Sequence, residues 1–124
     1  MTLNEIANEL VAGCRENSAE ANLERLYSPD AVSVEAADFS GMGREAQGLD
    51  AIRGKHQWWD STFEVVSGDI SGPFPHGDDR FAVRFAMTTK NKQTGEVSDM
   101  EEVAVYHVAG GKIVREEFFY PTGT

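Results

Sequence analysis

Apolar residues recur at helical spacing from the start of the chain: Leu3, Ile6, Leu10, Val11 and Cys14 share one stripe. Thr2 followed by Glu5 fits the capping box that opens such a helix. Leu23, Leu26 and Tyr27 predict a second, shorter helix, which Ser18 would cap and Pro29 would end. From Ala31 to about Ala37 the period drops to two, with Val32 and Val34 on one side and Ser33 and Glu35 on the other. "DFSGMGREAQG" has three glycines and no sustained period, and reads as a loop. "LDAIRGKHQWWDSTF" predicts a third helix with Ile52, His56, Trp59 and Phe63 near one face, although Gly54 weakens it.

Beyond residue 63 the pattern is that of strands. "FEVVSGDI" precedes the turn-like cluster "SGPFPHGDD". "RFAVRFAMTT" then alternates, with Phe81, Val83, Phe85 and Met87 on one side and Arg80, Arg84 and Thr88 on the other. The turns "KNKQTGE" and "AGGK" separate "VSDMEEVAVYHV" from "IVREEFFYP". Short connections require antiparallel neighbours. Helices first and a meander afterwards give the α+β class: one layer of helices closing over one face of a curved sheet.

The 124 residues suffice for a single domain, residues 1–124, with one core. The apolar runs are too short to span a membrane, and "MTLNEIANEL" lacks the features of a secretory signal, so a cytoplasmic protein is expected. Its 21 acidic against 11 basic side chains, a net charge of -10, repel polyanions and argue against nucleic-acid or anionic-membrane partners. The single cysteine, Cys14, has no disulfide partner and lies on a helix stripe, which favours packing over reactivity.

Most motif matches fail on context. "GMGREA" fits G-x-G-x-x-A, but Gly48 separates it from the helix and no parallel βαβ unit follows. His56, His76 and His107 lack zinc-ligand spacing, so no metal site is expected. No serine nucleophile motif is present. What survives is carboxylate chemistry. Glu35 stands on a strand, where an edge charge facing water is the commoner role. His56 stands beside Trp59 on the inner side of its helix, where a hydrogen-bonded core histidine is commoner than a catalyst. The doublets Glu101-Glu102 and Glu116-Glu117 lie in apolar strands, so one member of each must face inward wherever the strand is regular. An inward carboxylate is costly unless it is paired, protonated or wetted, which hints at a polar pocket.

"LYSPDAVSVE", a Gly-containing loop, "GLDAIRGKHQWW" and "GGKIVREEFFY" together resemble the SnoaL-like and ketosteroid-isomerase-like families of the nuclear transport factor 2-like superfamily. The resemblance covers essentially the whole chain. It implies a cone of three helices on a strongly curved antiparallel or mixed sheet enclosing a pocket. It also implies pairing of two copies through the outer sheet face, where Val103, Val105, Ile113 and Phe119 would lie.

In the isomerases the general base is an aspartate on the first strand, and Glu35 falls at that place, followed by Ala36 instead of the family's proline. The oxyanion tyrosine and the protonated aspartate of those enzymes fall near Val11 and Ala104, which cannot donate, so steroid isomerisation by that arrangement is not expected. Tyr27 and His56 fall where some isomerases place supporting tyrosines. The register implied by the resemblance turns Phe85, Met87, Glu102, Tyr106, Glu116, Phe118 and Tyr120 inward, beside Trp59. Two functions follow as expectations. One is a cofactor-free enzyme that moves a proton on a small hydrophobic carbonyl compound, with Glu35 as base and His56 or Tyr27 as donor. The other is a non-catalytic module that binds a small hydrophobic ligand or dimerises.

Overall fold

The structure is a computed structural model that describes residues 1–16 and 19–122. Its elements run α1 (Leu3–Arg15), α2 (Ala19–Leu26), β1 (Tyr27–Val34), β2 (Glu45–Gln47), α3 (Leu49–Thr62), β3 (Phe63–His76), β4 (Arg80–Asn91), β5 (Val97–Ala109) and β6 (Lys112–Phe119). Helix α1 begins with the expected capping box: the Glu5 amide donates to Thr2 Oγ1 and the Thr2 amide to Glu5 Oε1. The anticipated Ser18 cap lies outside the described residues. Among the described residues no helix is long and apolar enough to cross a membrane.

The strands form one mixed, unclosed sheet in the order β2-β1-β6-β5-β4-β3. The meander β3 to β6 is antiparallel throughout, as short connections require, whereas β1 and β6 pair in parallel. These two strands are separated by most of the chain, so a long crossover between them is available. The helices bury Ile6, Leu10, Leu23, Leu26 and Ile52 against Phe81, Val83, Phe85, Ala104 and Tyr106 of the sheet. Phe81 and Tyr106 stack with ring centroids 5.0 Å apart.

Five expectations are corrected. Helix α2 stops at Leu26, so Tyr27 opens β1 and Pro29 lies within that strand instead of ending the helix. In β1 the buried face is that of Ala31 and Ser33, while Val32 and Val34 are only half-buried. Helix α3 lies over this strand, and small residues let it approach. Strand β3 does not stop at Ile70 but continues through Gly72, Pro73 and Pro75 to His76. It is the sheet edge, where proline's missing N–H removes no ladder bond, and a register shift between Ser71 and Phe74 absorbs the irregularity. The "GREAQG" segment holds the short strand β2, antiparallel to β1.

Finally, Ile113 lies in the core and not on the outer face. Val108 pairs with Ile113 while His107 pairs with Arg115, so Val114 is an extra residue that reverses the alternation. Beyond that bulge the acidic doublets divide as expected. Glu101 and Glu117 face out to Arg84 and Arg115, and Glu102 and Glu116 turn inward.

Candidate functional site

The inner face of the sheet carries two polar centres. The first is sealed. Glu116, on β6, is 2% exposed and accepts a hydrogen bond from Tyr27 at 2.5 Å through Oε2. Its Oε1 is buried with no hydrogen-bond partner among the described residues. Burial, reinforced by the Glu116 charge, holds the phenols of Tyr27 and Tyr106 well above the ordinary tyrosine range. Burial first and Glu116 second push the Cys14 thiol up to about 11, which leaves it unreactive at neutral pH and agrees with its expected packing role.

The second centre lies where β1 ends and opens to solvent. The Glu35 amide donates to the Arg44 carbonyl at 2.8 Å, and Arg44 Nε donates to the Glu35 carbonyl at 3.0 Å, which pins the backbone of Glu35. Its carboxylate is half-buried, with Oε2 2.9 Å from Lys55 Nζ and Oε1 3.4 Å from the Tyr120 hydroxyl. Lys55 reaches down from α3 and also donates to Ser33 Oγ at 2.5 Å, with its ammonium 4.5 Å from the centroid of the Phe118 ring.

Glu102 turns in from β5 close enough to feel Glu35, Lys55 and Glu116. Burial first, then the Glu35 charge, raise its pKa to about 7, against a smaller opposing pull from Lys55. Burial and the charge of Glu35 likewise push the Tyr120 phenol up. A cleft of about 290 Å³, open to solvent, is lined at this end of β1 by Glu35, Ala36, Arg44, Phe118 and Tyr120 together with Val34, Glu117 and Phe119 from the outward side of the sheet, while Ser33, Lys55 and Glu102 stand behind it and not on its lining. Phe39, on the loop after β1, stacks on Tyr120 with centroids 5.9 Å apart. Asp38 holds that loop by accepting from the amides of Gly41 and Gly43, both at positive φ.

The expected site residues therefore separate. Glu35, Phe118 and Tyr120 line the cleft, and Glu102 lies behind them within electrostatic reach of Glu35. Tyr27, Tyr106 and Glu116 belong to the sealed centre. Phe85 is buried in the core with Met87 packed at its edge, and Trp59 packs on Phe63 at 4.6 Å. His56, expected to face inward as a donor, pairs instead with Glu20 of α2 at 2.8 Å. The inward polar residue of that helix is its neighbour Lys55, because one residue turns a helix by about 100°. Lys55 and Ser33 were missed. The spacing from Ile52 and Trp59 puts Lys55 and His56 equally near the inward stripe, so it gave no signal that favoured Lys55. No cluster of His, Cys, Asp and Glu able to hold a metal ion occurs among the described residues.

Comparison with known proteins agrees with this architecture. A protein from Mesorhizobium loti, provisionally described as a SnoaL-like polyketide cyclase, shares 37% identity over 97% of this chain and 100% of its own, with a TM-score of 0.88. A provisionally described isomerase from Bacillus subtilis superposes with a TM-score of 0.79 at 19% identity, covering 98% of this chain and 90% of that one. A ketosteroid isomerase-like fold from Catenulispora acidiphila, in complex with trimethylamine, gives 0.67 at 18% identity over 91% and 80% of the two chains. At those lower identities the likeness is one of fold. No curated protein matches the chain. The family description "SnoaL-like domain" matches residues 1–120, and with it the capped helix, the mixed sheet and the inward carboxylates find a common frame: the chain belongs to the SnoaL-like family.

Proposed function

We propose that the open cleft is an acid–base site that moves a proton on a small, largely apolar carbonyl compound. One observation carries this reading: two carboxyl groups within electrostatic reach of each other sit in different environments. Glu35 is paired with Lys55 at 2.9 Å, whereas burial, then the Glu35 charge, raise the pKa of Glu102 to about 7. An ion-paired carboxyl near the solvent and a buried one behind it are suited to the separate parts of base and acid. Glu35 takes the proton; Glu102, near the operating pH, donates a hydrogen bond or returns a proton. Phe118 and the ring of Tyr120 supply apolar contact. Double-bond migration and ring closure both use this chemistry.

The test is a generic proton-abstraction probe, 5-nitrobenzisoxazole, whose elimination releases a coloured phenolate. The Glu35→Gln variant is expected to lose about a hundredfold or more of any rate above buffer while keeping its circular dichroism. Full activity in that variant overturns the assignment of Glu35.

A second reading, a binding module without chemistry, draws support from Val11 and Ala104. Both are buried and apolar where the isomerase resemblance would require oxyanion donors. Solvent deuterium incorporated into a bound ketone separates the two: incorporation requires proton transfer, and its absence in a bound ketone favours the module. Two copies pairing through the outer sheet face remain part of the proposal. Phe119 and Val103 are exposed there beside the Arg115–Glu117 pair. Sedimentation at micromolar concentration is expected to give a dimer, and a monomer overturns it.

A further inference from the structure

The acid–base reading leaves one requirement unmet. When a carbanion forms next to a carbonyl, negative charge develops on the carbonyl oxygen, and a site that catalyses the step must hold that charge. With Val11 and Ala104 apolar, the places expected to provide donors provide none. We infer that Lys55 is the oxyanion-stabilising residue of this site.

Three features of its surroundings support the assignment. An ammonium carries three N–H donors. Two are directed to Glu35 Oε2 and Ser33 Oγ, and among the described residues no further acceptor lies within hydrogen-bond distance of the third. The Lys55 side chain is 18% exposed, so its charge acts through a medium less screening than water. Two groups that touch the ammonium, Glu35 and Phe118, line the cleft, and Lys55 stands directly behind them and not on the lining itself. A carbonyl oxygen entering between Glu35 and Phe118 would thus lie within the field of a positive group adjacent to the base.

The charge balance also fits. In the resting site the ammonium faces the Glu35 carboxylate. As Glu35 removes a proton from the carbon next to the carbonyl, the C–H electron pair becomes a C=C bond and the C=O π pair moves to oxygen. Glu35 is then neutral and the substrate oxygen carries the charge. Lys55 faces one negative group before the step and one after it, so the transfer requires no uncompensated charge. Delivery of the same proton to a different carbon reverses the flow and completes an isomerisation, with no other reactant. The other charged or titratable groups at this point are Glu102 from β5 and Tyr120 after β6, which supply no positive charge, and Arg44 on the cleft wall, whose Nε is engaged by the Glu35 backbone carbonyl.

This inference rests on the acid–base reading, and an equilibrium measurement separates the two. The probe is 4-nitrophenol, whose bound ionisation is read from the phenolate absorbance as pH is varied. Its hydroxyl stands in for the enol and its phenolate for the enolate. The comparison uses wild type, Glu35→Gln and the double variant Glu35→Gln with Lys55→Met, in which the ion pair is removed as a unit and no lone buried charge remains.

In Glu35→Gln the ammonium is unneutralised. There the bound phenol is expected to ionise at least about one pH unit lower than in the double variant, a tenfold change in its acid constant. Wild type should fall between the two. Equal ionisation in both variants, with binding retained, overturns the role of Lys55 and leaves the acid–base reading standing. Failure of the phenol to bind wild type at millimolar concentration overturns the pocket reading itself. A merely structural ion pair would change melting temperature without moving the phenol's ionisation.

Discussion

The two polar centres on the inner face of the sheet use the same residue types to opposite ends. Glu116 and Tyr27 sit beneath α1 and α2 among packed side chains, with one carboxylate oxygen lacking any partner among the described residues. Glu35 and Tyr120 form the same carboxyl–phenol pair at the open end of β1, but there an ammonium, a hydroxyl and solvent share the charge. Sealing raises the energetic consequence of every polar atom and leaves no room for a ligand. Openness gives up packing energy and gains access. The proposed chemistry therefore belongs with the open centre, and the closed one is expected to serve stability.

Substitutions at matched positions test that division. Phe81→Ala, in the sealed half, is expected to lower stability by about 3–5 kcal/mol, whereas Phe118→Ala at the cleft should cost less than about 2 kcal/mol. Urea denaturation of the two variants measures both, and equal losses would abolish the distinction.

The next effect is the pH dependence that Glu102 confers. Its folded pKa of about 7 lies above the ordinary value of 4.5, so the folded chain holds this proton more tightly than the unfolded one. The resulting stabilisation is complete below pH 4.5 and is lost as pH rises through about 7. Glu102→Gln cannot ionise, and should exceed wild type at pH 8, relative to pH 4, by up to about 3 kcal/mol. A pH-independent difference between the two proteins contradicts the burial of that carboxyl.

The hydroxyl groups sharpen the comparison further. Tyr27→Phe removes the sole donor to Glu116 among the described residues and is expected to cost about 1–3 kcal/mol. Tyr120→Phe, where water can replace the phenol, should change stability by less than about 0.5 kcal/mol while still perturbing ligand binding. The smallest effect is chemical. Cys14 should react with iodoacetamide at pH 8 about a hundredfold more slowly than a free thiol, and unfolding in urea should restore the rate.

Much of the scaffold was legible because it follows from local rules. The Thr2–Glu5 capping box, the α1 stripe and the alternation of β4 each depend on neighbours within a few residues. So does the division of both acidic doublets into one inward and one outward member. What escaped depends on contacts between distant segments. The apolar pattern of β1 pointed to Val32 and Val34 as the buried pair, yet α3 packs on the opposite face and selects Ala31 and Ser33 for their size. The prolines of β3 read as a turn because sequence does not reveal that this strand is the sheet edge. Val114 reverses the face of every residue before it in β6, and nothing in "GGKIVREE" marks the bulge.

The site divides along the same line. Strand alternation required one member of each acidic doublet to face inward, while the family resemblance, and not the pattern, named Glu102 and Glu116 and gave Glu35 a cavity. Sequence chose His56 over Lys55, because chemistry was weighed by residue type and a difference of one position on a helix is settled only by what the helix rests on. Period and propensity act over a few residues and are written in the chain. Which side of β1 receives α3, which carboxyl is sealed and which meets an ammonium depend on segments up to about 90 residues apart, and only their packing supplies that information.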